Sequence, residues 1–539
     1  MVERRRRQLL FWGILILASA VRCIRFAQVP AGINQDEAMA AMDAWALSQY
    51  GTDRYGIRFP VHFTAWKYGQ MSVLLSYCMI PFIRIFGFGP FAIRLPMLLA
   101  SCGSVALMYL TAKKLFSDRM ALGIMLLTAI NPWHFMQSRW SLDCNLLPHV
   151  FLLGFYLLLL GFEKRRYLYL SMVFFGLTLY CYGVAVYSVI PFLAVYAGWC
   201  IWKKRLKVRE ILISVLIFLV VALPELLVMA INFFGLPTIE TPFFTMSYFP
   251  DSVRSNDILF LNFSFLQLKK NLNAMLGTCI LQLPDHLHNA IPEFGPLYDI
   301  STPFVVIGII TFTRDLFREK DRARQTGLMA LWGFFLTGVW IGLITYEVNV
   351  NRINMIFFPL IFLCGYGISR VISRFRRAWM LILPAYGLCF ALFLGAYFTS
   401  YEEEIREKFN VNFLEAVKEA DEMEAYQKLY ITGHMDWQYN LSMAEILTQY
   451  ACRIDALYYQ ERTTVTGGRQ LLPYGERYHY TDVNYPNQAD PEGLYLLHAS
   501  ELGKLSFPYE ILEEIGNYCL LRPVSGFAGD EYFPANGKE

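Results

Sequence analysis

The sequence predicts a polytopic all-α membrane protein that ends in a small α/β domain. Three observations carry that expectation. Of 539 residues, 56% are hydrophobic, 16% aromatic and 17% charged, and a mean hydropathy of +0.37 is too apolar for a soluble chain of this size. Apolar runs of roughly 17 to 25 residues, the length needed to cross a bilayer, recur with cationic clusters between alternate pairs. Near residue 400 these runs stop, and charged, amphipathic and strand-like segments take over. The net charge of +3 is small, so no global field argues for nucleic acid, and the placement of the charges matters more than their sum.

In chain order, Arg4, Arg5, Arg6 and Arg7 precede the run 8–27. The pattern imitates a secretory signal, but the apolar part is long and no small-x-small cleavage site follows, so it reads as an uncleaved first span. Later clusters are Lys113, Lys114 and Arg119; Lys164, Arg165 and Arg166; the basic residues of 203–209 and of 314–324; and Arg374, Arg376 and Arg377. The positive-inside rule assigns all of them to the cytoplasm. If the apolar run 68–87 crossed the membrane, every cluster after the first would flip outside. That run carries Pro81 and Arg84 and reads as an interfacial or re-entrant helix at the outer leaflet. About eleven spans remain, near 8–27, 91–112, 120–137, 144–162, 167–181, 184–202, 211–232, 301–317, 326–345, 353–370 and 378–398. An odd number leaves the N-terminus cytoplasmic and the C-terminus outside. It also gathers the loops 28–90, 138–143, 233–300 and 346–352 on the outer face.

Two polar patches on that face are candidates for chemistry. Asn34-Gln35-Asp36-Glu37 follows the first span and opens a helix-like segment, where acids either cap the helix or do proton chemistry. Ser138-Arg139-Trp140-Ser141-Leu142-Asp143 sits at another apolar boundary. Neither G-x-x-x-x-G-K-S/T nor a G-x-G-x-x-G after a strand is present, so nucleotide chemistry is not indicated. An activated donor must then arrive by another route; a lipid-linked one would come through the bilayer and would need cations for its phosphate near the acids. Lys67, Arg139 and Arg352 stand at outer boundaries, as interface anchors or as a phosphate clamp. Tyr248, His286, His288 and Tyr298 either line a sugar or acceptor pocket or belong to an interfacial aromatic belt.

Asn34-Gln35-Asp36-Glu37-Ala38, Gly51-Thr52-Asp53, Gly56-Ile57-Arg58-Phe59-Pro60, Arg94-Leu95-Pro96, and Asn131-Pro132-Trp133-His134 running into Ser138-Arg139 and Asp143 together resemble the membrane glycosyltransferases of the GT-C class. The likeness is to the family-39-like branch that includes protein O-mannosyltransferases and lipid A aminoarabinose transferases. It covers about residues 8–370, and its first third is the specific part. The resemblance implies a GT-C fold with juxtamembrane helices beside the spans. It implies inverting transfer of a sugar from a polyprenyl-phosphate-type donor to an envelope glycan, lipid or protein at the outer face of the cytoplasmic membrane. In that family an Asp-Glu pair in the first outer loop holds the catalytic base, and the second outer loop supplies an acid after Ser-Arg. Catalytic roles for Asp36, Glu37 and Asp143, and donor-phosphate roles for Lys67 and Arg352, follow by resemblance. The pattern departs in two places: Lys67 is followed by Tyr68 and Gly69 rather than Pro-Pro, and no Asp-x-Asp replaces Asp36-Glu37. A divalent metal ion at Asp36, Glu37 and Asp143 is the one cofactor left open.

Two other classes compete. A transporter or flippase would place ionisable groups near mid-bilayer, where this chain offers little beyond Glu225 beside Pro224. A non-catalytic anchor displaying the tail has little use for so large a polytopic base. The tail, 400–539, combines an amphipathic helix at 401–424 with strand-like runs at 429–431, 494–497 and 519–521, which reads as an extracytoplasmic α/β domain following a membrane domain of 1–399. Of the 11 cysteines, Cys452 and Cys519 lie in this tail, where an oxidising compartment would permit pairing.

Overall fold

The computed structural model describes residues 2–66, 69–250, 264–481 and 490–524. Its first elements are helices α1 (Val2–Cys23) and α2 (Gln35–Tyr50), strands β1 (His62–Ala65) and β2 (Gly69–Ser72), and helices α3 (Leu74–Phe86), α4 (Pro90–Leu115), α5 (Asp118–Ile130) and α6 (Pro132–Gln137). There follow α7 (Asp143–Gly161), α8 (Arg165–Leu177), α9 (Val186–Trp202), α10 (Val208–Phe234), strands β3 (Ile239–Glu240) and β4 (Thr245–Met246), and α11 (Phe265–Cys279). Helices α12 (Thr302–Arg318), α13 (Arg322–Ile344), α14 (Phe357–Arg374) and α15 (Trp379–Tyr397) complete the apolar part. The polar part holds α16 (Ser400–Lys408), α17 (Val411–Glu422), β5 (Lys428–Thr432), α18 (Leu441–Ala451), α19 (Ala456–Tyr459), β6 (Val465–Thr466), β7 (Arg469–Gln470), α20 (Tyr474–Arg477), β8 (Tyr478–Thr481), β9 (Gly493–His498), β10 (Tyr509–Ile515) and β11 (Tyr518–Pro523).

Among the described residues eight helical segments are long and apolar enough to cross a membrane: 90–115, 143–161, 183–202, 208–234, 299–318, 322–344, 354–374 and 379–397. Three further expected spans are helical but do not meet that measure, each for a local reason. α1 opens with four arginines. α5 ends at Ile130 because Asn131 caps α6, accepting from the His134 N–H, and Pro132 supplies no N–H to continue the ladder. α8 yields to a 3-10 turn at Thr178–Tyr180. The apolar run after residue 68 forms α3, whose 13 residues fall short of the roughly 20 a crossing needs.

Contacts divide the chain into two compact units. The first comprises Met1–Val29, Pro60–Phe63 and Tyr68–Glu402, and the second Pro30–Phe59, Thr64–Lys67 and Glu403–Glu539. In the first unit α7 and α14 are central: 78% and 72% of their apolar windows are buried, against 28% for α10 and 17% for α15, whose apolar faces are left for lipid. α12 lies against α14 closely enough that a Cβ on Gly308 would fall 1.9 Å from the Leu363 carbonyl oxygen, so only glycine fits there. The mid-span acid Glu225 does not stand alone, since its Oε2 meets His62 Nε2 at 2.7 Å, both side chains buried.

The second unit is built on a five-stranded mixed sheet in the order β10-β11-β9-β5-β8, antiparallel across β10, β11 and β9 and parallel across β9, β5 and β8. α17 packs on the sheet, and α18 packs on both the sheet and α2. The loop bearing α2 is thereby part of this unit. Ile33 N–H donates to Phe409 O at 2.9 Å, Asn410 Nδ2 to Ile33 O at 3.1 Å, Tyr50 Oη to Asp455 at 2.7 Å and Gln460 Nε2 to Arg54 O at 3.1 Å. Gly32 makes this approach possible, because it holds φ +73° and a Cβ there would sit 2.2 Å from Phe409 O. Cys452 and Cys519 remain free thiols, Cys452 half-buried and Cys519 buried.

Candidate active site

The acidic patch of the second unit begins at a helix cap. Asn34, extended at φ −75° and ψ 148°, accepts the Asp36 N–H on its Oδ1 at 3.0 Å. The capping oxygen therefore belongs to Asn34, and Asp36 and Glu37 fall in the first turn of α2, where the positive end of the helix favours their charge. Asp36 is half-buried and Glu37 fully buried. The rest of α2 is thin and enclosed, with Ala38, Ala40, Ala41, Ala44 and Ala46 all buried, so the helix start has little freedom to shift.

Beneath it lies a cluster that sequence reasoning missed. Asp43 is paired with Arg54 at 3.0 Å, both side chains nearly inaccessible, and it also accepts the Arg54 N–H. Arg54 further donates to Met39 O and Thr64 O, pinning the loop to α2. Asp53 Oδ1 accepts from the N–H groups of Tyr55 and Ile57, while its buried Oδ2 has no partner. The available signal was a mid-helix acid among the alanines and methionines of α2, which requires a buried partner.

Burial pushes the Asp43 carboxyl up to about 6 against the pull of Arg54. Burial, then repulsion from Asp43, push Asp53 up to about 7. Burial lowers the Arg54 guanidinium, but Asp43 beside it outweighs this and keeps it charged. A carboxyl whose folded pKa is raised adds stability that is complete below its unfolded value of 3.8 and is lost as pH rises through about 7. The stability advantage of wild type over Asp53→Asn is therefore expected to shrink between pH values of roughly 4 and 7, read as unfolding midpoints in detergent. A difference that stays flat over that window would show that Asp53 ionises there without penalty.

In the first unit three loops converge. Asp143 is the first residue of α7, 7% exposed, and its Oδ1 accepts the Cys144 N–H at 2.7 Å. Asn354 Nδ2 donates to Cys144 O at 2.6 Å, which ties the start of α7 to the turn that carries Arg352. That turn is tied in its own right to 282–298, since Val350 N–H donates to Asp285 Oδ2 at 2.5 Å. Asp285 Oδ1 accepts from His286 N–H. The ring of His288 meets Trp140 edge to face at 5.4 Å and stacks on His286 at 5.1 Å. Asp143, Trp140, His286, His288 and Arg352 thus share one loop cluster.

The remaining expected residues divide differently. Arg352 is half-exposed and its guanidinium makes one backbone bond, Nη1 to Glu347 O at 3.2 Å, which leaves donors for a ligand. Arg139 does not fit the phosphate role that its position suggested. Fully buried, it donates Nε to Val29 O, Nη1 to Arg22 O, and Nη2 to both Ile24 O and Arg25 O at 2.8–3.0 Å, closing the end of α1. Phe135, Tyr397 and Phe398 rings surround the same guanidinium at 5.4 Å. Tyr298 also leaves the pocket set. It is 2% exposed, donates its hydroxyl to Ile130 O and packs against Phe294, Tyr386 and Phe393 as core. Tyr248 is 39% exposed, and its N–H donates to Thr238 Oγ1, outside the converging loops. Lys67 lies outside the described residues. Among the described residues no three His, Cys, Asp or Glu side chains gather as a metal site would.

Comparison with known proteins gives the fold. Residues 71–227 match the family described as dolichyl-phosphate-mannose-protein mannosyltransferase. The crystal structure of ArnT from Cupriavidus metallidurans in the apo state matches with a TM-score of 0.56 at 11% identity, covering 98% of this chain and 100% of that one. The same protein bound to undecaprenyl phosphate gives 0.56 at 12% identity over 97% and 99%. The oligosaccharyltransferase of Archaeoglobus fulgidus, in complex with Zn and sulfate, gives 0.53 at 12% identity over 82% of this chain and 61% of that one. No curated protein matches. The chain has the GT-C glycosyltransferase fold and is a multi-pass membrane protein.

Proposed function

We propose that the protein is an inverting glycosyltransferase that moves a sugar from a polyprenyl-phosphate-type lipid to an envelope acceptor at the outer face of the cytoplasmic membrane. The observation that carries this reading is the tie of Asn354 to Cys144, which joins the start of the helix bearing Asp143 to the turn bearing Arg352 in a chain with this fold. The ArnT structure bound to undecaprenyl phosphate supports the lipid donor. Asp36 takes the proton of the acceptor hydroxyl, the oxygen attacks the anomeric carbon, and the bond to the lipid phosphate oxygen breaks with its electron pair going to the phosphate. The configuration at carbon inverts. Glu37 and Asp143 orient acceptor and sugar, and Arg352 stabilises the charge that develops on the departing phosphate. A mid-bilayer relay, as a transporter uses, is not favoured, because Glu225 is paired with His62.

The test supplies purified protein with a polyprenyl-linked sugar or with the matching nucleotide sugar. A hydrogen bond to a charged group is worth about 1.5–3 kcal/mol, so Arg352→Ala is expected to raise the lipid-donor KM about ten- to a hundredfold. Arg352→Lys recovers part of this, since it keeps the charge without the planar fork. Turnover with the nucleotide sugar alone, indifferent to Arg352→Ala, would overturn both the donor and the residue's role.

A further inference from the structure

The first unit contains a polar cavity far along its helices from the loops described above, at the ends that carry the cationic clusters. It measures about 610 Å³ and is lined by Lys114, Ser117, Glu163, Arg205 and Arg324 among others. Three cations face one carboxylate, and that carboxylate is taken: Glu163 pairs with Lys114 at 2.7 Å. Arg324 pairs at 3.3 Å with Glu319, which is not among the lining residues. Arg205 has no carboxylate partner among the described residues, and its buried Nε has no hydrogen-bond acceptor. Its guanidinium lies over the Phe162 ring at 5.8 Å, which holds it in place without neutralising it.

An apolar cavity of about 260 Å³ adjoins this one, lined by Leu158, Met172, Ala197, Leu206 and Phe218 among others. The two have consecutive lining residues in two places, Leu159 beside Leu158 on α7 and Arg205 beside Leu206. Phe162 of the polar cavity and Tyr196 of the apolar one meet ring to ring at 6.3 Å. Tyr196 also donates its hydroxyl to Thr326 O, next to Gly327 of the polar cavity.

A half-buried guanidinium without a carboxylate partner, next to an apolar slot, is the chemistry of a lipid phosphate with its chain attached. We infer that this paired cavity is a binding site for an anionic phospholipid, the phosphate seated at Arg205 with Lys114 and Arg324 around it and an acyl chain in the apolar slot. Cations among membrane-spanning helices at such an end select lipid by headgroup charge, and one charged contact contributes about tenfold in affinity. The site is separate from the residues assigned to sugar transfer.

The experiment uses the full chain in nanodiscs. Native mass spectrometry is expected to find phosphatidylglycerol retained in preference to phosphatidylcholine, and Arg205→Gln to lower that retention about tenfold. Arg205→Lys recovers most of it. Filling the slot with Ala197→Phe lowers phosphatidylglycerol retention without creating a preference for phosphatidylcholine. Should Arg205→Gln fail to fold, Arg324→Gln, on the exposed rim, reports instead with a smaller loss in the same direction. Inorganic phosphate alone, added to delipidated protein, is expected to give less thermal protection than phosphatidylglycerol. Equal retention by wild type and the folded variants, or full protection by inorganic phosphate, would overturn the assignment.

Discussion

Replacing Asp36 by Asn is expected to lower sugar transfer by about 10²- to 10⁴-fold, the usual contribution of a positioned general base, while the protein inserts and unfolds as wild type does. The structure separates the two things an acid can do at a helix start. Asn34 supplies the capping oxygen, so Asp36→Asn leaves the cap in place and costs a dipole interaction of about 0.3–1 kcal/mol. Glu37, fully buried one residue on, is the poorer candidate for a base that must meet an incoming hydroxyl. Transfer rate and unfolding midpoint measured on the same preparation check the expectation. A variant that keeps wild-type turnover would move the base to Asp143.

The second large effect belongs to Arg139, and it is structural. Four carbonyl oxygens at the end of α1 take its N–H groups, and each buried acceptor left without a donor costs about 1–3 kcal/mol. Partial relaxation leaves a net loss of roughly 3–5 kcal/mol for Arg139→Gln, among the larger effects a single substitution produces. Arg139→Lys, with one nitrogen in place of three, recovers less than half. The readout is the unfolding midpoint in detergent together with the donor KM of whatever fraction stays folded. A raised donor KM at an unchanged midpoint would return Arg139 to the phosphate.

These two residues show where the sequence was legible. Hydropathy and cationic clusters located each of the eight long apolar helices among the described residues, because burial in lipid acts on composition over about twenty residues and needs no knowledge of neighbours. The acid of each patch was likewise readable, as an ionisable group at an apolar boundary. What escaped was pairing at long sequence separation. Nothing local to Arg139 announces that the end of α1 lies against it, and nothing local to Asp43 announces Arg54 across a turn. Tyr298 was misread for the same reason: a tyrosine near a loop looks interfacial until Ile130 O appears at its hydroxyl. Composition alone also separated the tail from the loop 30–59, which contacts reunite in one unit.

That reunion has a consequence for biosynthesis. The segment bearing Asp36 leaves the ribosome well before the residues that receive it, Phe409, Asn410, Asp455 and Gln460. At roughly 5–20 residues per second the intervening chain takes on the order of tens of seconds to synthesise. Through that interval every membrane helix can insert while the acidic helix still lacks its bed. A chain terminated before Phe409 is thus a membrane protein whose α2 lacks the residues that hold it, and chain made about 400 residues later completes the loop after α1.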